Sequence, residues 1–489
     1  MQNEIKETLR KIQKENPYKN EEYYNLDDLG TSKLFATVNK DRILFNKTAD
    51  SWFIYNNIKW EKDSSGLKVD AYAKEFALAY QKYVEKLEEE LNKKSMPLQQ
   101  KTDEIKELIT YKLKIFALNK RKVRNTVIED SRSYVQVSYE DFDTQPYLFN
   151  CLNGVIDLRN RKFLPHSPDL MLSKVANVEY NPSAHCDRFN EFMNDIMEKN
   201  RAKINYLQVL FGYAMGGTNE LEEAYILYGK TTRNGKSTLL DTIKYLFGDY
   251  GMNIQPESLA YQKKSSRAAS GDIARIDGCR LLQMSEPPKQ MKLDVALLKT
   301  LTGRDKITAR HLYESEFEFT PVFKLFINTN YLPVVLDDTL FTSGRIKVIT
   351  FDRHFEPQEQ DNGLKDALKD PESLSGILNW ILGGYERYSR NPAAIIPPHD
   401  VTLATEQYRQ SSDKVVMFLK DFASEKPAGL YSCSILYNEY LEWCKQNNYG
   451  QDGKSNFISE LRKKSGFRER GTVDSKTIRN VFCVDPLRE

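Results

Sequence analysis

The feature that most limits the fold of this chain is a strand, a short glycine-containing loop and a helix in direct succession at residues 224–248, AYILYGKTTRNGKSTLLDTIKYLFG. The apolar run Ala224–Tyr228 predicts a buried strand, and apolar residues recur every three or four positions after Lys236 and Ser237, which predicts a helix. Backbone N–H groups at the start of such a helix carry partial positive charge and converge on phosphate. The segment therefore predicts an α/β domain built around a nucleotide.

Each residue type in this loop has a chemical reason to be there. Lys236 is expected to reach the β- and γ-phosphate oxygens, and the Ser237 hydroxyl is expected to bind Mg²⁺. Five residues, instead of the usual four, separate Gly229 from Gly235, which leaves the role of Gly229 open. We predict an ATP and Mg²⁺ site that contains Gly229, Thr232, Arg233, Asn234, Gly235, Lys236, Ser237 and Thr238.

A phosphate-binding loop of this kind works with a carboxylate at the end of a neighbouring strand. That carboxylate holds or orients the metal ion and the attacking water. Glu286 follows a strand candidate at residues 279–284, about fifty residues after the loop. A lone glutamate after a strand is otherwise a solvated turn residue. We predict Glu286 as a catalytic residue and, together with Ser237, as a metal ligand.

A hairpin and two further polar residues complete the predicted catalytic region. Strand candidates at 307–313 and 316–320 precede an apolar strand at 324–327, and Asn330 follows that strand, where an amide can position the attacking water. Arg345 precedes another β-type run and is predicted to act on a neighbouring subunit's nucleotide as an arginine finger. The hairpin presents cations that either bind a phosphate backbone or form a solvated surface. These hairpin cations are Lys306, Arg310 and His311.

The charges of the chain nearly balance, with 71 Lys and Arg against 69 Asp and Glu and a net charge of +2. The whole chain therefore has no polyelectrolyte-binding signature, and any contact with nucleic acid must be local. The most basic stretch, residues 454–479, has eight Lys and Arg against three acidic residues. Its cations either solvate a small domain or bind DNA phosphates. The DNA-binding candidates there are Lys463, Lys464, Arg468 and Arg470.

The chain lacks the marks of several other protein classes. No apolar run approaches the ~20 residues that span a bilayer, and the charged N-terminus is unlike a secretory signal. The six cysteines have no zinc-ligand spacing. We expect a cytoplasmic protein with no membrane partner, no disulfide scaffold and no zinc finger.

Five segments, in order along the chain, resemble the motifs of the superfamily 3 helicases of the AAA+ class: YGKTTRNGKST, LLQMSEP, LTGRDKITARHLY, FINTNYLP and GRIKVITF. The resemblance is to the poxvirus and phage-satellite primase-helicase type, which includes the replication initiators of staphylococcal pathogenicity islands. It implies that Lys236 and Ser237 bind nucleotide and Mg²⁺, with Glu286 as the second acidic motif. It further implies that Asn330 is the polar sensor and Arg345 the arginine finger. The chain departs from the family at Ser285, where many members carry an acidic residue.

The resemblance covers most of the chain and implies a multidomain α/β protein with an AAA+ P-loop core. The expected domains are an N-terminal α+β and helical domain at 1–140, a strand segment and helical collar at 141–215, the ATPase at 216–390, a Pro-rich linker at 391–400 and a winged helix at 401–489. A primase needs a cluster of carboxylates for its metals, and the start of the chain shows none. We therefore expect any primase to be a separate protein.

By the same resemblance, the expected activity is that of an ATP-dependent DNA helicase. It would act as a hexameric ring, travel 3′ to 5′ and serve replication initiation of a mobile genetic element in a bacterial host. Its expected partners are single-stranded and forked DNA, and origin duplex DNA in addition. Two alternatives stay open: an origin-binding, ATP-dependent assembly switch without unwinding, and a P-loop motor that acts on another polymer.

Overall fold

The computed structural model of the chain describes residues 2–19, 27–261, 271–310, 316–335, 337–391, 395–447, 449–473 and 476–484. The N-terminal part of the chain combines helices with a small sheet. The elements are α1 (Gln2–Glu15), α2 (Asp28–Asn39), β1 (Ile43–Asn46), β2 (Ser51–Tyr55), β3 (Trp60–Asp63), α3 (Leu67–Lys93), α4 (Leu98–Phe116), α5 (Arg121–Ser131) and β4 (Gln136–Val137). The strand order is β3-β2-β1-β4.

The N-terminal core forms where the helices cover one another. Apolar residues recur every three or four positions along α3, which predicts a stripe that faces the core, and Phe76 and Tyr80 on this stripe are buried. The Tyr80 hydroxyl accepts a hydrogen bond from Asn16 Nδ2 at 2.7 Å, which satisfies a polar group inside this core. The sequence predicts two or three short strands within residues 34–63 and a helix on either side of Pro97. The strands from residue 43 onwards and both helices are confirmed, whereas residues 34–39 belong to α2, and neither α1 nor α2 is predicted.

A second, antiparallel sheet leads into the catalytic region. It consists of β5 (Leu148–Cys151), β6 (Gly154–Asp157) and β7 (Lys162–Leu164), paired in that order. The sequence predicts a turn at Asn153-Gly154 between these strands. The observed two-residue turn is one position earlier, at Leu152 and Asn153, because Gly154 already pairs with Cys151 as the first residue of β6. Helices α6 (Asp187–Ile196) and α7 (Arg201–Met215) follow.

The catalytic region is built on a five-stranded, all-parallel sheet. Its elements are β8 (Ala224–Tyr228), α8 (Lys236–Phe247), β9 (Gly251–Ile254), α9 (Gly271–Arg275), β10 (Leu281–Ser285), α10 (Val295–Thr302), β11 (Ile307–Arg310), β12 (Glu316–Phe319), β13 (Lys324–Thr329), α11 (Thr339–Thr342) and β14 (Ile346–Thr350). The strand order is β14-β8-β13-β10-β9, and the short hairpin β11–β12 stands outside it. The α/β domain with a parallel sheet is confirmed.

Apolar layers cover both faces of this sheet, as an all-parallel sheet requires. Tyr225 and Leu227 of β8 belong to a core shared with α6, α7 and α8. Ala224 and Ile226 point the other way, into a core shared with α9 and α10. The strands align their carboxyl ends, so the residues that follow β8, β13 and β10 meet along one edge.

Helices α12 (Leu364–Ala367) and α13 (Pro371–Arg390) return the chain to the first of these layers. Helices α13 and α7 cross closely at two glycines. A Cβ on Gly212 would lie 2.1 Å from Tyr385 N, and a Cβ on Gly384 would lie 1.9 Å from Gln208 O. The crossing therefore depends on the absence of side chains at both positions.

Two buried basic side chains, Lys324 and Arg280, lie at the amino ends of the sheet strands and bond to the segment that precedes the sheet. Lys324 Nζ donates hydrogen bonds to the carbonyl oxygens of Gly216 at 2.7 Å and of Val322 at 3.1 Å. Arg280 donates to the Leu148 carbonyl at 2.7 Å. Burial lowers the pKa of both side chains. Since buried charge is costly without hydrogen bonds, these contacts hold the β5–β7 region and the end of α7 in place.

The last part of the chain contains α14 (His399–Ser412), α15 (Lys414–Glu425), β15 (Gly429–Ser432), α16 (Cys433–Gln446), α17 (Lys454–Arg462), β16 (Phe467–Val473) and β17 (Lys476–Val484). The sheet order is β15-β17-β16, with antiparallel pairs. Strand β15 was missed by the sequence analysis.

The sequence pattern predicts one continuous helix from about Val401 to Phe422. That prediction is wrong, because α14 ends at Ser412 and a separate helix, α15, begins at Lys414. Asp413 has an extended backbone and accepts a hydrogen bond from Val415 N at 2.8 Å, which caps α15. Helix α14 packs on the catalytic sheet instead, where Thr405 Oγ1 accepts a hydrogen bond from Val348 N at 3.0 Å. Among the described residues, no helix is long and apolar enough to cross a membrane.

Candidate nucleotide site

The loop between β8 and α8 forms a closed turn around the side chains of Asn234 and Lys236. Gly235 and Arg233 have positive φ angles of 82° and 55°. A Cβ on Gly229 would lie 2.0 Å from Asn234 Nδ2 and 2.7 Å from Lys236 Nζ. The role of Gly229, left open by the spacing, is therefore to let the backbone pass these two side chains.

Lys236 lies at the centre of this site. Its side chain is buried, and its Nζ donates hydrogen bonds to Asn234 Oδ1 and to Asn330 Oδ1, both at 2.8 Å. Burial lowers its pKa to about 8, and the negative charge of Glu286 opposes that shift. Lys236 Nζ donates to two neutral amides, and the charge of Glu286 offsets its burial only in part. The buried ammonium therefore has a strong tendency to pair with an incoming anion.

Of the two metal candidates, Ser237 lies next to Lys236 at the start of α8 and Glu286 follows the end of β10. Ser237 Oγ accepts a hydrogen bond from Asn328 Nδ2 at 2.9 Å. Glu286 is exposed just past β10, and its backbone N donates to the Asn328 carbonyl at 2.8 Å. Its φ of 51° lies in the left-handed region, which a non-glycine residue adopts only when the surrounding structure holds it there.

Asn328 is a site residue that the sequence analysis missed. It is opposite Ser285 in the pairing of β13 with β10 and is buried. Asn328 and Asn330 are two residues apart, and side chains at this spacing on a strand point to the same face. That spacing was the signal that could have found Asn328 alongside Asn330.

A cleft of about 420 Å³ opens next to the loop. The loop side of the cleft is formed by the predicted residues Arg233, Gly235 and Thr238. Phe192 of α6 and Phe355 also line the cleft, and the backbone N of Phe355 donates to the Arg233 carbonyl at 2.9 Å. An ion pair between Arg188 and Asp361 lies across the same cleft. Thr232 is outside this lining, and its carbonyl is 2.8 Å from His354 Nδ1.

Arg345 is not brought to the phosphate loop of its own chain. It precedes β14 at the amino edge of the sheet, where its carbonyl accepts a hydrogen bond from Ala224 N at 2.7 Å. The phosphate loop follows the opposite, carboxyl end of β8. Arg345 therefore cannot reach the nucleotide of its own subunit in this structure, and its predicted role requires a second copy.

The predicted DNA-binding cations are spread over two surfaces. Lys306 and Arg310 are exposed on the hairpin β11–β12, and Lys306 Nζ is 3.7 Å from Glu318 Oε2. His311 lies outside the described residues. In the C-terminal part of the chain, Arg468 and Arg470 are exposed on β16. Lys463 forms an ion pair with Glu460 at 2.5 Å. Lys464 forms an ion pair with Asp413 at 2.5 Å. Lys464 is thus part of the contact that caps α15.

The residues present fit a magnesium–nucleotide complex better than a metal held by protein alone. No cluster of three or more His, Cys, Asp or Glu side chains suited to a metal occurs in the described parts of the chain. Mg²⁺ in nucleotide sites is commonly held by one or two protein oxygens together with waters and substrate phosphates. Ser237 and Glu286 supply that number of oxygen ligands beside a loop shaped for phosphate.

Comparison with known proteins places family matches in three regions of the chain. A "D5 N terminal like" family matches residues 32–198, and a "Poxvirus D5 protein-like" family matches residues 410–481. The chain resembles D5-type proteins at both ends. Between these D5-type regions, residues 227–345 match a family of unknown function, DUF5906. The resemblance to the poxvirus type, expected from the motifs, is confirmed.

Curated proteins that are similar to this chain carry helicase names. "Putative helicase L207/L206" of Acanthamoeba polyphaga mimivirus is 29% identical over 68% of this chain and 37% of its own length. "Putative helicase 022R" of Frog virus 3 is 25% identical over 46% of this chain and 25% of its own length. "Putative helicase V13" of Sputnik virophage is 26% identical over 43% of this chain and 28% of its own length. The chain thus spans between a quarter and two-fifths of these relatives.

Among solved structures, the apo form of the NrS-1 C-terminal region is similar, with a TM-score of 0.47 and 10% identity. The alignment covers 94% of this chain and 99% of that one.

Proposed function

We propose that the protein is an ATP-hydrolysing DNA helicase of the superfamily 3, AAA+ type. The observation that carries this proposal is the meeting of Lys236, Asn330, Ser237 and Glu286 at the ends of three adjacent parallel strands. A site that only bound nucleotide would need the loop and the lysine. The additional amide and carboxylate are the groups that orient water for attack on a phosphate.

In this proposal the phosphates of ATP lie against the loop and displace the amides that now hold Lys236. Ser237 and Glu286 would hold Mg²⁺, directly or through water, and the bound ion would supply positive charge beside the transferred phosphoryl group. Asn330, once freed from Lys236, positions the attacking water. The adenine base of ATP enters the cleft next to the loop, where Phe192 and Phe355 offer apolar contacts.

The position of Arg345 supports a working unit made of several copies. One copy supplies Lys236 and Glu286, and the next supplies Arg345 from the opposite edge of its sheet. Such a head-to-tail contact closes into a ring, and we propose a hexamer. Hydrolysis of ATP then requires several copies of the chain to assemble, because each nucleotide site needs Arg345 from the next copy.

The nucleic-acid contacts are proposed on two surfaces. The hairpin with Lys306, Arg310 and His311 would contact the backbone of single-stranded or forked DNA without reading sequence, as the ring moves 3′ to 5′. The order helix, strand, helix, helix, strand, strand from α15 to β17 is that of a winged helix. Arg468 and Arg470 are exposed on its hairpin, so residues 414–484 would bind the duplex DNA of a replication origin. The origin would be that of a mobile element, and a separate protein would supply the primase. A bacterial host stays a prediction.

The test is ATP hydrolysis by the full chain with Mg²⁺, in the presence of single-stranded DNA, duplex DNA or an unfolded protein. The proposal predicts hydrolysis that single-stranded DNA stimulates and that Lys236→Ala and Glu286→Gln abolish. Glu386→Gln is the matched control, because Glu386 pairs with Arg161 and Arg390 far from the loop. Stimulation by protein alone would favour another motor, and nucleotide-dependent assembly without hydrolysis would favour the assembly switch.

A further inference from the structure

Glu222 lies at the amino edge of the catalytic sheet, two residues before β8, and it contacts two arginines. Its Oε2 is 2.5 Å from Arg345 Nη2, and its Oε1 is 3.5 Å from Arg304 Nε. The φ of Glu222 is 54°, in the left-handed region. A glutamate is strained there, so the surrounding structure fixes this carboxylate in place.

The contacts of Arg345 leave it poorly prepared to bind another anion. Its Nη1 donates to Thr302 Oγ1 at 3.0 Å and to the Lys299 carbonyl at 3.3 Å, and its Nη2 meets the Glu222 carboxylate. Its side chain is only 21% exposed, against 58% for Arg304. A guanidinium binds carboxylate and phosphate through the same planar set of N–H donors. Arg345 must therefore give up Glu222 before it can bind the phosphate of a neighbouring copy.

We propose that Glu222 is a positioning residue that holds Arg345 in the free subunit and competes for it with the nucleotide of the adjacent copy. This inference rests on the proposed action of Arg345 in trans. The interacting surface is the edge formed by Glu222, Arg304 and Arg345, and its partner is the nucleotide edge of a second copy of this chain. Glu222 thereby raises the protein concentration at which hydrolysis begins, because assembly has to break its ion pair with Arg345.

The experiment uses two full-length variants that are inactive alone. Lys236→Ala cannot bind phosphate but keeps Arg345, so it is the donor of the arginine. Arg345→Ala keeps its nucleotide site but lacks the arginine, so it is the acceptor. Hydrolysis in a mixture arises only where a donor's arginine meets an acceptor's site. Glu222→Gln is then added to the donor alone or to the acceptor alone, and hydrolysis is measured against total protein concentration.

Glu222→Gln in the donor is expected to lower the concentration for half-maximal hydrolysis about threefold to tenfold, the range for a partly buried ion pair. The same change in the acceptor is expected to have no effect, because an acceptor contributes no arginine. Glu222→Asp in the donor, which keeps the charge but shortens its reach, is expected to shift the curve less in the same direction. Glu386→Gln in the donor is the control for loss of a carboxylate, and thermal melting checks that each variant is folded.

An unchanged or raised half-maximal concentration with the donor variant, or equal shifts in donor and acceptor, would overturn the role of Glu222. A purely structural role predicts equal effects, since both subunits contain the same fold. If the parent mixture of Lys236→Ala and Arg345→Ala shows no hydrolysis at any concentration, then the action of Arg345 in trans fails first. The two failures are therefore distinguishable.

Discussion

Raising the pH from 7 to 9 is expected to weaken nucleotide binding about tenfold through Lys236 alone. In the free protein the pKa of Lys236 is lowered to about 8 by burial. Its charged fraction is then about 0.9 at pH 7 and about 0.1 at pH 9. Only the charged amine pairs with phosphate, and a bound phosphate raises its pKa again. Affinity is therefore retained below pH 8 and is lost as the pH rises through 8, with proton uptake on binding.

The assay is calorimetric titration of ADP at pH 7, 8 and 9, in buffers of different ionisation enthalpy so that proton uptake is measured directly. Lys236→Arg is the matched control, because a guanidinium stays charged throughout this range and should give a flat profile. A wild-type affinity that is constant from pH 7 to 9, with no proton uptake at pH 9, would refute the reasoning.

The stability of the free protein has the opposite dependence on pH. The folded-state pKa of Lys236, about 8, lies below its ordinary value of 10.5. The unfolded chain therefore binds more protons between these two values, and stability rises with pH across that window. The measurement is the free energy of unfolding from chemical denaturation between pH 8 and 10. The difference in this free energy between the wild type and Lys236→Arg is expected to change in favour of the wild type as the pH rises.

Four further substitutions test other parts of the structure. Gly229→Ala, whose new methyl would overlap the Lys236 amine, is expected to abolish nucleotide binding by calorimetry while thermal melting stays within a few degrees of wild type. Lys324→Met leaves the carbonyls of Gly216, Thr218 and Val322 without their donor and is expected to cost about 2–4 kcal/mol of unfolding free energy in urea titrations. A neutral result would contradict the role of Lys324 in holding the end of α7 in place. Arg470→Ala is expected to weaken duplex binding and reduce its salt dependence, whereas Lys464→Ala should mainly lower the melting temperature; reversed effects would argue against this division.

The sequence predicted the catalytic region well, because each part depends on local chemistry. A buried strand followed by Gly235, Lys236 and Ser237 is compatible with few local structures. The polar residues that follow the strands meet at one edge of the sheet because the strands are parallel. Helix α1 was missed although Ile5, Leu9 and Ile12 recur at helical spacing and are buried. Its few apolar residues lie among many charged ones, and only the packing against α3 shows their importance.

Other features depend on distant contacts that no local pattern encodes. The pairing of Lys464 with Asp413 joins residues 51 positions apart, so a lysine in a basic stretch proved to be a capping partner. The tie between Arg345 and Glu222 spans 123 positions. The motif position predicts a role for Arg345, but the Glu222 carboxylate that contacts it could not be found from the sequence, because Glu222 and Arg345 meet only where the amino ends of the strands lie together.

The most direct test of the central claim is unwinding of a forked DNA duplex by the full chain with ATP and Mg²⁺, beside Lys236→Ala and an equal mixture of Lys236→Ala with Arg345→Ala. The account predicts strand separation by the wild type, none by Lys236→Ala, and partial recovery of hydrolysis in the mixture. ATP hydrolysis by the wild type without any strand separation, on forks with either a 3′ or a 5′ tail, would contradict it.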